Sequence, residues 1–183
     1  MRRLFFALWP LASMQQELAA AVGRSLAALD SGRLVPVENL HLTLAFLGAV
    51  PEAALQSLEE LAAASARTGA RETPLEVAFD RIDYWRKAQL LCAASQHASV
   101  AAGEFAERLK RDLVAGGFAP DLKPFRPHVT VARKVPRAPQ ALAMSRVAWS
   151  FSGFALIESH TRASGSLYSV LASWVLCGSE GKS

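Results

Sequence analysis

The chain has 183 residues, of which 51% are hydrophobic and 20% are charged, and its formal net charge is +4. This length and composition suffice for one domain with a sizeable core, and they exclude a low-complexity or disordered chain. Fifteen of the twenty basic residues are arginine, a residue that pairs bidentately with phosphate. The charge balance permits a phosphate-rich ligand, although a compositional bias explains the arginine content equally well.

Local patterns disfavour a zinc-binding, secreted or membrane-spanning protein. Cys92 and Cys177 lie far apart in apolar segments without zinc-like spacing, so we expect buried free thiols in a reducing cytoplasm. The basic start before an apolar run resembles a short signal peptide, but Pro10 cuts the run short and favours a first β-strand. No stretch reaches the roughly 18 apolar residues that span a membrane. We therefore expect a cytoplasmic protein with no membrane contact, and a monomer.

The first half of the chain predicts a strand, a helix and a second strand. Leu4–Trp9 is rich in aromatic and apolar residues and predicts the first strand. Met14–Leu29 has apolar residues at helical spacing, with Ser13 as the predicted N-cap and Gln16 at the capping-box position. Leu40–Leu47 predicts the second strand.

The second half repeats this order of elements. Gln89–Ala94 predicts a strand, Ser99–Ala115 a helix, and His128–Ala132 a strand that follows the loop Pro120–Pro127. The two copies also have nearly equal length, 37 residues from Leu4 to the first motif below and 38 from Leu90 to the second. This agreement predicts an internal duplication with pseudo-twofold symmetry.

The remaining segments predict further elements around this pair. Pro51–Arg67 has leucines at helical spacing and predicts a helix. Alternating polarity predicts three more strands, and these are Leu75–Ile82, Val147–Ser159 and Ser166–Cys177. The last two form a predicted hairpin around Ser164-Gly165. Arg137–Ser145 predicts a loop or a short helix.

One tripeptide pattern, His-x-Thr, occurs twice. The copies are His41-x-Thr43 and His128-x-Thr130, in a chain with only four histidines and five threonines. Because side chains alternate faces along a strand, each histidine shares one face with its threonine, and the apolar neighbours occupy the other face. If a twofold relation joins the two strands, two imidazoles and two hydroxyls converge on one cleft.

Such a cleft suits a phosphodiester. One neutral imidazole can accept a proton from the attacking oxygen while the other, protonated, donates one to the leaving oxygen, because a pKa near 6.5 makes both forms accessible. The hydroxyls of Thr43 and Thr130 can donate hydrogen bonds to the non-bridging phosphate oxygens. The near symmetry of the motifs leaves open which histidine is the acid and which is the base.

Other chemistries fit the sequence less well. Two histidines can bind zinc, but a third ligand is usually needed, and the nearest carboxylate to the first motif is Glu38. The usual settings of a serine nucleophile and of a glycine-rich phosphate loop are absent. His97 and His160 lack the motif context, and we interpret them as loop or strand-end residues.

The segments around the two motifs resemble a known family. Leu4–Leu8, Asn39–Gly48 and Pro124–Arg133 are similar to the two-histidine (2H) phosphoesterases, and more closely to the bacterial RNA 2′,3′-cyclic phosphodiesterases, also called 2′-5′ RNA ligases. The resemblance spans nearly the whole chain and holds at every motif histidine and threonine. It implies an α+β fold of two pseudo-symmetric lobes, each a β-sheet with flanking helices, around a central cleft, in a single bilobal domain over residues 1–183.

The resemblance also implies an activity. This activity is hydrolysis of an RNA 2′,3′-cyclic phosphate end to a 2′-phosphate, without a metal or other cofactor, and the reverse joining to a 2′-5′ linkage. By family analogy, His41 donates a proton to the 3′-oxygen and His128 activates water. The expected partners are RNA ends or nucleotide cyclic phosphates. The alternatives are a phosphodiesterase for a small nucleotide such as an ADP-ribose cyclic phosphate, and an RNA-binding module without catalysis.

Several flanking residues are further candidates. Arg126 lies two residues before His128, nominally on the same face, and is a candidate phosphate ligand. Arg133 matches the family pattern, but five residues at about 3.3 Å each place it distant along the strand. Three aromatic residues are candidates for stacking on a base, with core packing as the alternative: Phe46, Tyr84 and Trp85.

Overall fold

A computed structural model describes residues 1–27, 29–97, 99–139, 142–162 and 165–176. The helices are α1 (Ala12–Ala27), α2 (Leu55–Thr68) and α3 (Val100–Ala115), with two short 3-10 turns at Val37–Asn39 and Glu52–Ala54. The strands are β1 (Arg2–Leu8), β2 (Arg33–Leu34), β3 (Leu42–Val50), β4 (Leu75–Phe79), β5 (Arg81–Trp85), β6 (Leu90–Ala94), β7 (His128–Arg133), β8 (Val147–Phe151), β9 (Gly153–Arg162) and β10 (Gly165–Val175). The predicted mixture of helices and sheets is confirmed.

The described strands form antiparallel sheets of two sizes. The first sheet has the order β10-β9-β1-β3, the second has the order β5-β6-β7-β2, and β4 pairs with β8 in a small third sheet. In each large sheet the two strands of a strand–helix–strand unit are direct neighbours, β1 with β3 and β6 with β7. A third strand, β9 or β5, then pairs with the first strand of that unit. This shared order is the pseudo-symmetry that the repeated motif predicts.

The apolar run at the start of the chain is a central strand. β1 lies between β9 and β3, and all five residues of 4–8 are buried. A strand covered on both faces has a continuous apolar sequence instead of an alternating one. The strand interpretation of this segment is therefore confirmed.

One cluster of buried apolar side chains joins the two large sheets and the helices. It includes Leu4 of β1, Leu91 of β6, Leu18 of α1, Leu58 of α2 and Phe105 of α3. Burial of apolar surface is the main stabilising contribution in such a cluster. Because both sheets contribute to the same cluster, their relative position is set by a shared core.

Two predicted strands are wrong in extent. Leu75–Ile82 is divided at Asp80 into β4 and the start of β5, and Val147–Ser159 is divided at Ser152 into β8 and the start of β9. In each case the two pieces belong to different sheets. The alternation shifts phase at each break, since the buried residues Phe79 and Ile82, and likewise Phe151 and Phe154, lie three positions apart. The predicted strands extend across this shift, which marks where the chain changes sheets.

The predicted start of the first helix is also wrong. Ser13 is not an N-cap, because α1 begins at Ala12 and the backbone N–H of Gln15 donates to the carbonyl of Leu11 at 3.0 Å. The predicted helix Pro51–Arg67 is a 3-10 turn followed by α2. The apolar spacing thus places the helices correctly, but it does not determine their first turns.

The other predicted features agree with the structure where it describes them. β9 and β10 form the C-terminal hairpin, with Arg162 opposite Gly165, whereas Ser164 and Cys177 lie outside the described residues. Cys92 is a buried free thiol. Residues 137–139 and 142–145 contain neither helix nor strand, as predicted for a loop. Among the described ranges, no helix combines the length and the apolar character needed to cross a bilayer.

Candidate active site

Side chains from both large sheets line one cleft of about 950 Å³. Residues at the start of β3, residues in β7 and the loop before β7 all contribute to its lining. All five predicted site residues line this cleft: His41, Thr43, Arg126, His128 and Thr130. The structure therefore brings together the two motifs, which lie far apart in sequence.

The alternation predicted for each motif is present. His41 directly precedes β3, where Leu42 is fully buried and Thr43 is half-buried. In β7, Val129 is fully buried while the flanking motif residues are half-buried. The apolar side chains anchor each strand in the core, and this leaves the imidazole and the hydroxyl at the cleft.

The two imidazoles are held in the same way. Nδ1 of His41 lies 2.7 Å from the carbonyl oxygen of Asn39, and Nδ1 of His128 lies 2.7 Å from that of Arg126. A carbonyl oxygen can only accept a hydrogen bond, so Nδ1 is the protonated nitrogen in both neutral rings. Nε2 of each ring is then the nitrogen with a free lone pair.

Both histidines have lowered pKa values. Burial lowers the pKa of His41 to about 4, and burial also lowers the pKa of His128 below its ordinary value. The backbone hydrogen bond at each Nδ1 opposes this effect, whereas the positive charge of Arg133 adds to the lowering at both rings. Both imidazoles are consequently neutral at pH 7 in the free protein.

A β-bulge follows the threonine in each motif strand. The register of β1 on β3 passes over Leu44, and that of β6 on β7 passes over Val131. Such an extra residue reverses the alternation of faces beyond it. Phe46 and Arg133, each three residues after a motif threonine, therefore line the cleft. The expectation that Arg133 is distant from the site is wrong, because the distance along the backbone takes no account of its side chain, which the bulge turns towards the cleft and whose charge acts on both histidines.

Three aromatic rings surround His41. Trp9 stacks on it with a centroid distance of 5.5 Å and an interplanar angle of 15°. Phe5 lies at 4.9 Å, and Tyr168 meets the ring edge-on at 5.1 Å. These contacts restrict rotation of the imidazole about its side-chain bonds.

The second imidazole has a different environment. Trp85 is its aromatic neighbour, with a centroid distance of 4.5 Å to His128. Behind this side of the cleft, Sγ of Cys92 lies 3.9 Å from Oγ1 of Thr130. Burial raises the pKa of Cys92 to about 11, so this residue is a neutral thiol at physiological pH.

The three aromatic candidates for base stacking separate into two groups. Phe46 and Trp85 line the cleft, and the guanidinium of Arg3 lies 4.8 Å from the centroid of the Phe46 ring. Tyr84 does not line it, because its ring packs against the core and its hydroxyl donates to the carbonyl of Val135 at 3.0 Å. For Tyr84 the structure supports core packing.

The other two histidines lie away from the cleft lining. His160 is in β9 with Nε2 3.3 Å from Glu158, and His97 follows β6. In the part of the chain that the structure describes, no three His, Cys, Asp or Glu side chains form a group that could hold a metal ion.

Sequence reasoning missed several cleft residues that come from other elements. Arg3 and Phe5 come from β1, Ser166 and Tyr168 from β10, and Lys110 from α3. Alternation along β1 pairs the first two on one face, but only the strand order of the first sheet places that face beside the motif. No local signal in the sequence identifies the contribution of β10.

The fold and its cleft define a class of α+β proteins with two antiparallel sheets, and solved structures share this architecture. A phosphoesterase crystal structure matches with a TM-score of 0.83 at 24% identity, covering 97% of this chain and 99% of that one. Escherichia coli LigT in complex with 3′-AMP gives 0.82 at 24% identity, with coverage of 97% and 99%. TT0787 of Thermus thermophilus gives 0.77 at 28% identity, also with coverage of 97% and 99%.

The profile of the 2′-5′ RNA ligase superfamily matches residues 14–162, and the chain belongs to this family. An RNA 2′,3′-cyclic phosphodiesterase of Thermus thermophilus is 31% identical over 202 residues, covering 98% of this chain and 93% of that protein. The RNA 2′,3′-cyclic phosphodiesterase of Escherichia coli K12 is 26% identical over 149 residues, with coverage of 80% and 81%. The family predicted from the two motif segments is confirmed.

Proposed function

We propose that this chain is a phosphodiesterase that hydrolyses RNA 2′,3′-cyclic phosphate ends to 2′-phosphomonoesters, with His41 and His128 as its acid–base pair. The observation that carries this proposal is the matched geometry of the two rings. Each is anchored through Nδ1 to a carbonyl two residues earlier, and each lines the same cleft beside a threonine hydroxyl. The names of the curated relatives support the choice of substrate.

The proposed reaction balances with these groups alone. Nε2 of the base accepts a proton from water as the water oxygen bonds to phosphorus, and the bond from phosphorus to O3′ breaks while the acid protonates O3′. The hydroxyls of Thr43 and Thr130 donate to the non-bridging oxygens, and Arg126 and Arg133 offset their charge. The same steps in reverse join a 5′-hydroxyl to the cyclic phosphate as a 2′-5′ linkage.

We assign His41 as the acid and His128 as the base by the family resemblance, and this assignment requires that bound substrate raise the pKa of His41 from about 4. An acid must be protonated in the complex, and the anionic phosphate raises the pKa of a neighbouring imidazole. An imidazolium at His41 also faces the π-system of Trp9, which attracts a cation. This ring is therefore suited to carry a proton once the substrate is bound.

Replacement of either histidine tests the proposal. In His41→Ala and His128→Ala we expect kcat to fall by about 10²-fold or more, because each variant loses proton transfer at one oxygen. The measurement uses an RNA oligomer with a 2′,3′-cyclic phosphate end, with product position assigned by mass spectrometry and folding checked by circular dichroism. His97→Ala, outside the cleft lining, is the matched control. A folded His→Ala variant with wild-type turnover contradicts the proposal.

Chelation tests whether this chemistry is independent of metal ions. The proposed steps use only side chains of this chain, so we expect the same turnover before and after incubation with EDTA. If EDTA abolishes activity and zinc restores it, a metal-assisted mechanism replaces the acid–base pair.

A small nucleotide is the second candidate substrate. The cleft volume of about 950 Å³ lies within the range of roughly 300–1,000 Å³ that is typical of small-molecule sites. A comparison of kcat/KM for the RNA oligomer and for an ADP-ribose cyclic phosphate distinguishes the two. A higher value for the RNA supports the first proposal, and a higher value for the small nucleotide supports the second. Tight RNA binding with no product from either substrate indicates a binding module.

A further inference from the structure

A buried polar side chain of α1 holds the turn before the first motif. Gln15 is 5% exposed, and its Nε2 donates to the carbonyls of Glu38 and Leu40, each at 3.0 Å. These carbonyls flank Asn39, whose own carbonyl accepts the hydrogen bond from Nδ1 of His41. Gln15 therefore restrains the backbone on both sides of the group that orients the first imidazole.

An ion pair of α3 holds the loop before the second motif. Nζ of Lys110, a residue only 4% exposed, donates to the carbonyl of Lys123 at 2.6 Å and to Oε1 of Glu107 at 3.0 Å. The same carboxylate oxygen accepts from the backbone N–H of Phe125 at 2.9 Å. The next residue is Arg126, whose carbonyl holds the second imidazole.

The two helices have equivalent places in the repeated units. α1 connects β1 to the first motif, and α3 connects β6 to the second. Each helix uses a buried polar group to hold the turn that ends two residues before its histidine. The chemistry differs, because one group is a neutral amide with two donors and the other is a charged pair.

We infer that Gln15 and the Glu107–Lys110 pair are positioning residues, each of which holds the backbone carbonyl that orients the histidine of its own unit. This inference rests on the proposed function, since it concerns the same two imidazoles. The backbone turns contact the rings, and Gln15 and Glu107 act through those turns. Lys110, which also lines the cleft, holds its turn through the carbonyl of Lys123. We call the two hydrogen bonds of Gln15 the neutral clamp of the first motif. The contacts of the Glu107–Lys110 pair are the ionic clamp of the second motif.

Loss of the clamp has a specific chemical consequence. When the Asn39 carbonyl is free to move, its hydrogen bond to Nδ1 is weakened, and the neutral ring of His41 exchanges between its two tautomers. In the protonated ring the same carbonyl accepts from Nδ1–H, so a displaced carbonyl also leaves the Nε2–H of His41 poorly aimed at the leaving oxygen. Small displacements of this kind cost up to about 10²-fold in rate.

Gln15→Leu tests the neutral clamp, because it removes both donors from a buried site and keeps a side chain of similar size. We expect kcat to fall by about 10- to 100-fold with little change in KM. Ser25→Ala is the matched control. Ser25 lies on the same helix, is also 5% exposed, and exchanges two hydrogen bonds with Ala143 at 2.7 and 2.9 Å, outside the cleft lining. We expect this control to keep its kcat although it loses some folding stability.

Nitrogen NMR of the histidine rings gives a readout that needs no substrate. In the wild type we expect the Nδ1-protonated tautomer at both motif histidines. Gln15→Leu should give a mixture of tautomers at His41 alone. The double variant Glu107→Leu/Lys110→Met, which removes both charges together and so leaves no unpaired buried charge, should give the mixture at His128 alone.

These measurements separate the clamp from the proposed reaction. An unchanged His41 tautomer in folded Gln15→Leu overturns the inference, and so does an equal loss of kcat in Ser25→Ala, which would show a general effect of destabilisation. If the tautomers shift as expected while His41→Ala remains active, the clamps stand and the proposed acid–base function fails.

Discussion

At the scale of single residues, backbone geometry prepares each imidazole for proton transfer. The carbonyls of Asn39 and Arg126 select one tautomer at His41 and His128, respectively. Burial keeps both rings neutral, since it lowers both pKa values. The identity of these side chains can be read from the motif, but their protonation state depends on burial by residues elsewhere in the chain.

The pH dependence of turnover follows from these pKa values. An acid–base pair needs one proton between the two rings, and the fraction of free protein with one proton falls once the pH exceeds the higher pKa. That value, the pKa of His128, lies below 6.5. We therefore expect kcat/KM to have its optimum on the acid side of 6.5 and to fall towards pH 8. The decline of kcat should begin at a higher pH than the decline of kcat/KM, because bound phosphate raises the pKa of the imidazoles in the complex.

Pre-steady-state and steady-state rates over about pH 4 to pH 9 measure this behaviour. The two apparent values belong to the pair of rings as a whole. A kcat/KM that rises steadily between pH 6 and pH 8 contradicts the expectation.

At the scale of elements, the β-bulges decide which side chains line the cleft beyond each motif. Strict alternation turns the third residue after each threonine away from the imidazole, and the bulges at Leu44 and Val131 turn it back. One unit then presents an aromatic ring, Phe46, and the other presents a guanidinium, Arg133. The cleft is consequently asymmetric although the two strands that form it are equivalent.

Substitution of Arg133 separates its charge from its hydrogen bonds. In Arg133→Ala we expect the pKa of both histidines to rise, because the cation lowers both, and the kcat/KM profile to move to higher pH. We also expect KM to rise by about tenfold through the lost phosphate contact. Arg133→Lys keeps the charge but not the planar fork, so its profile should stay in place while KM still rises.

Arg137→Ala removes the same charge from a residue outside the cleft lining and serves as the control. An unchanged pH profile in Arg133→Ala would show that the bulge does not bring this guanidinium into electrostatic contact with the rings.

At the scale of the whole molecule, one core joins the two sheets, and the burial that forms the candidate site is part of folding. The protonation state of a site residue is therefore coupled to the free energy of unfolding. His41 illustrates this link. Its side chain is surrounded by rings from β1 and β10 as well as by Trp9, so folding removes most of it from water. This environment favours the neutral imidazole of His41 over its protonated form, and so it lowers the pKa of the ring.

Folding stability should therefore depend on pH through His41. Its pKa is about 4 in the folded protein against 6.5 in the unfolded chain, so on acidification the unfolded chain takes up the proton first. The free energy of unfolding should be highest above pH 6.5 and fall by about 2 kcal/mol towards pH 5, at about 1.4 kcal/mol per pH unit. Urea unfolding at several pH values, in wild type and in His41→Gln, measures this dependence.

The variant should lose the part of this slope that His41 contributes, because glutamine does not titrate, and keep the smaller part due to His128, whose pKa burial also lowers. The carboxyl groups with lowered pKa values, Glu107, Asp121 and Glu158, protonate below about pH 4.5 and do not contribute in this window. Equal slopes in wild type and variant contradict the prediction.

The amino-acid sequence alone is enough to identify the two motifs, the strand–helix–strand units around them, the buried and cleft faces next to each histidine, and the family. These features follow from periodicities of two and 3.6 residues, which are local properties of a chain. The strand order, the assignment of the pieces on either side of Asp80 and Ser152 to different sheets, the bulges after the motif threonines and the clamps from α1 and α3 follow from the three-dimensional structure. These depend on contacts between distant residues, such as Tyr168 against His41 or Gln15 against Leu40, and on register, which a period-two pattern leaves free to shift.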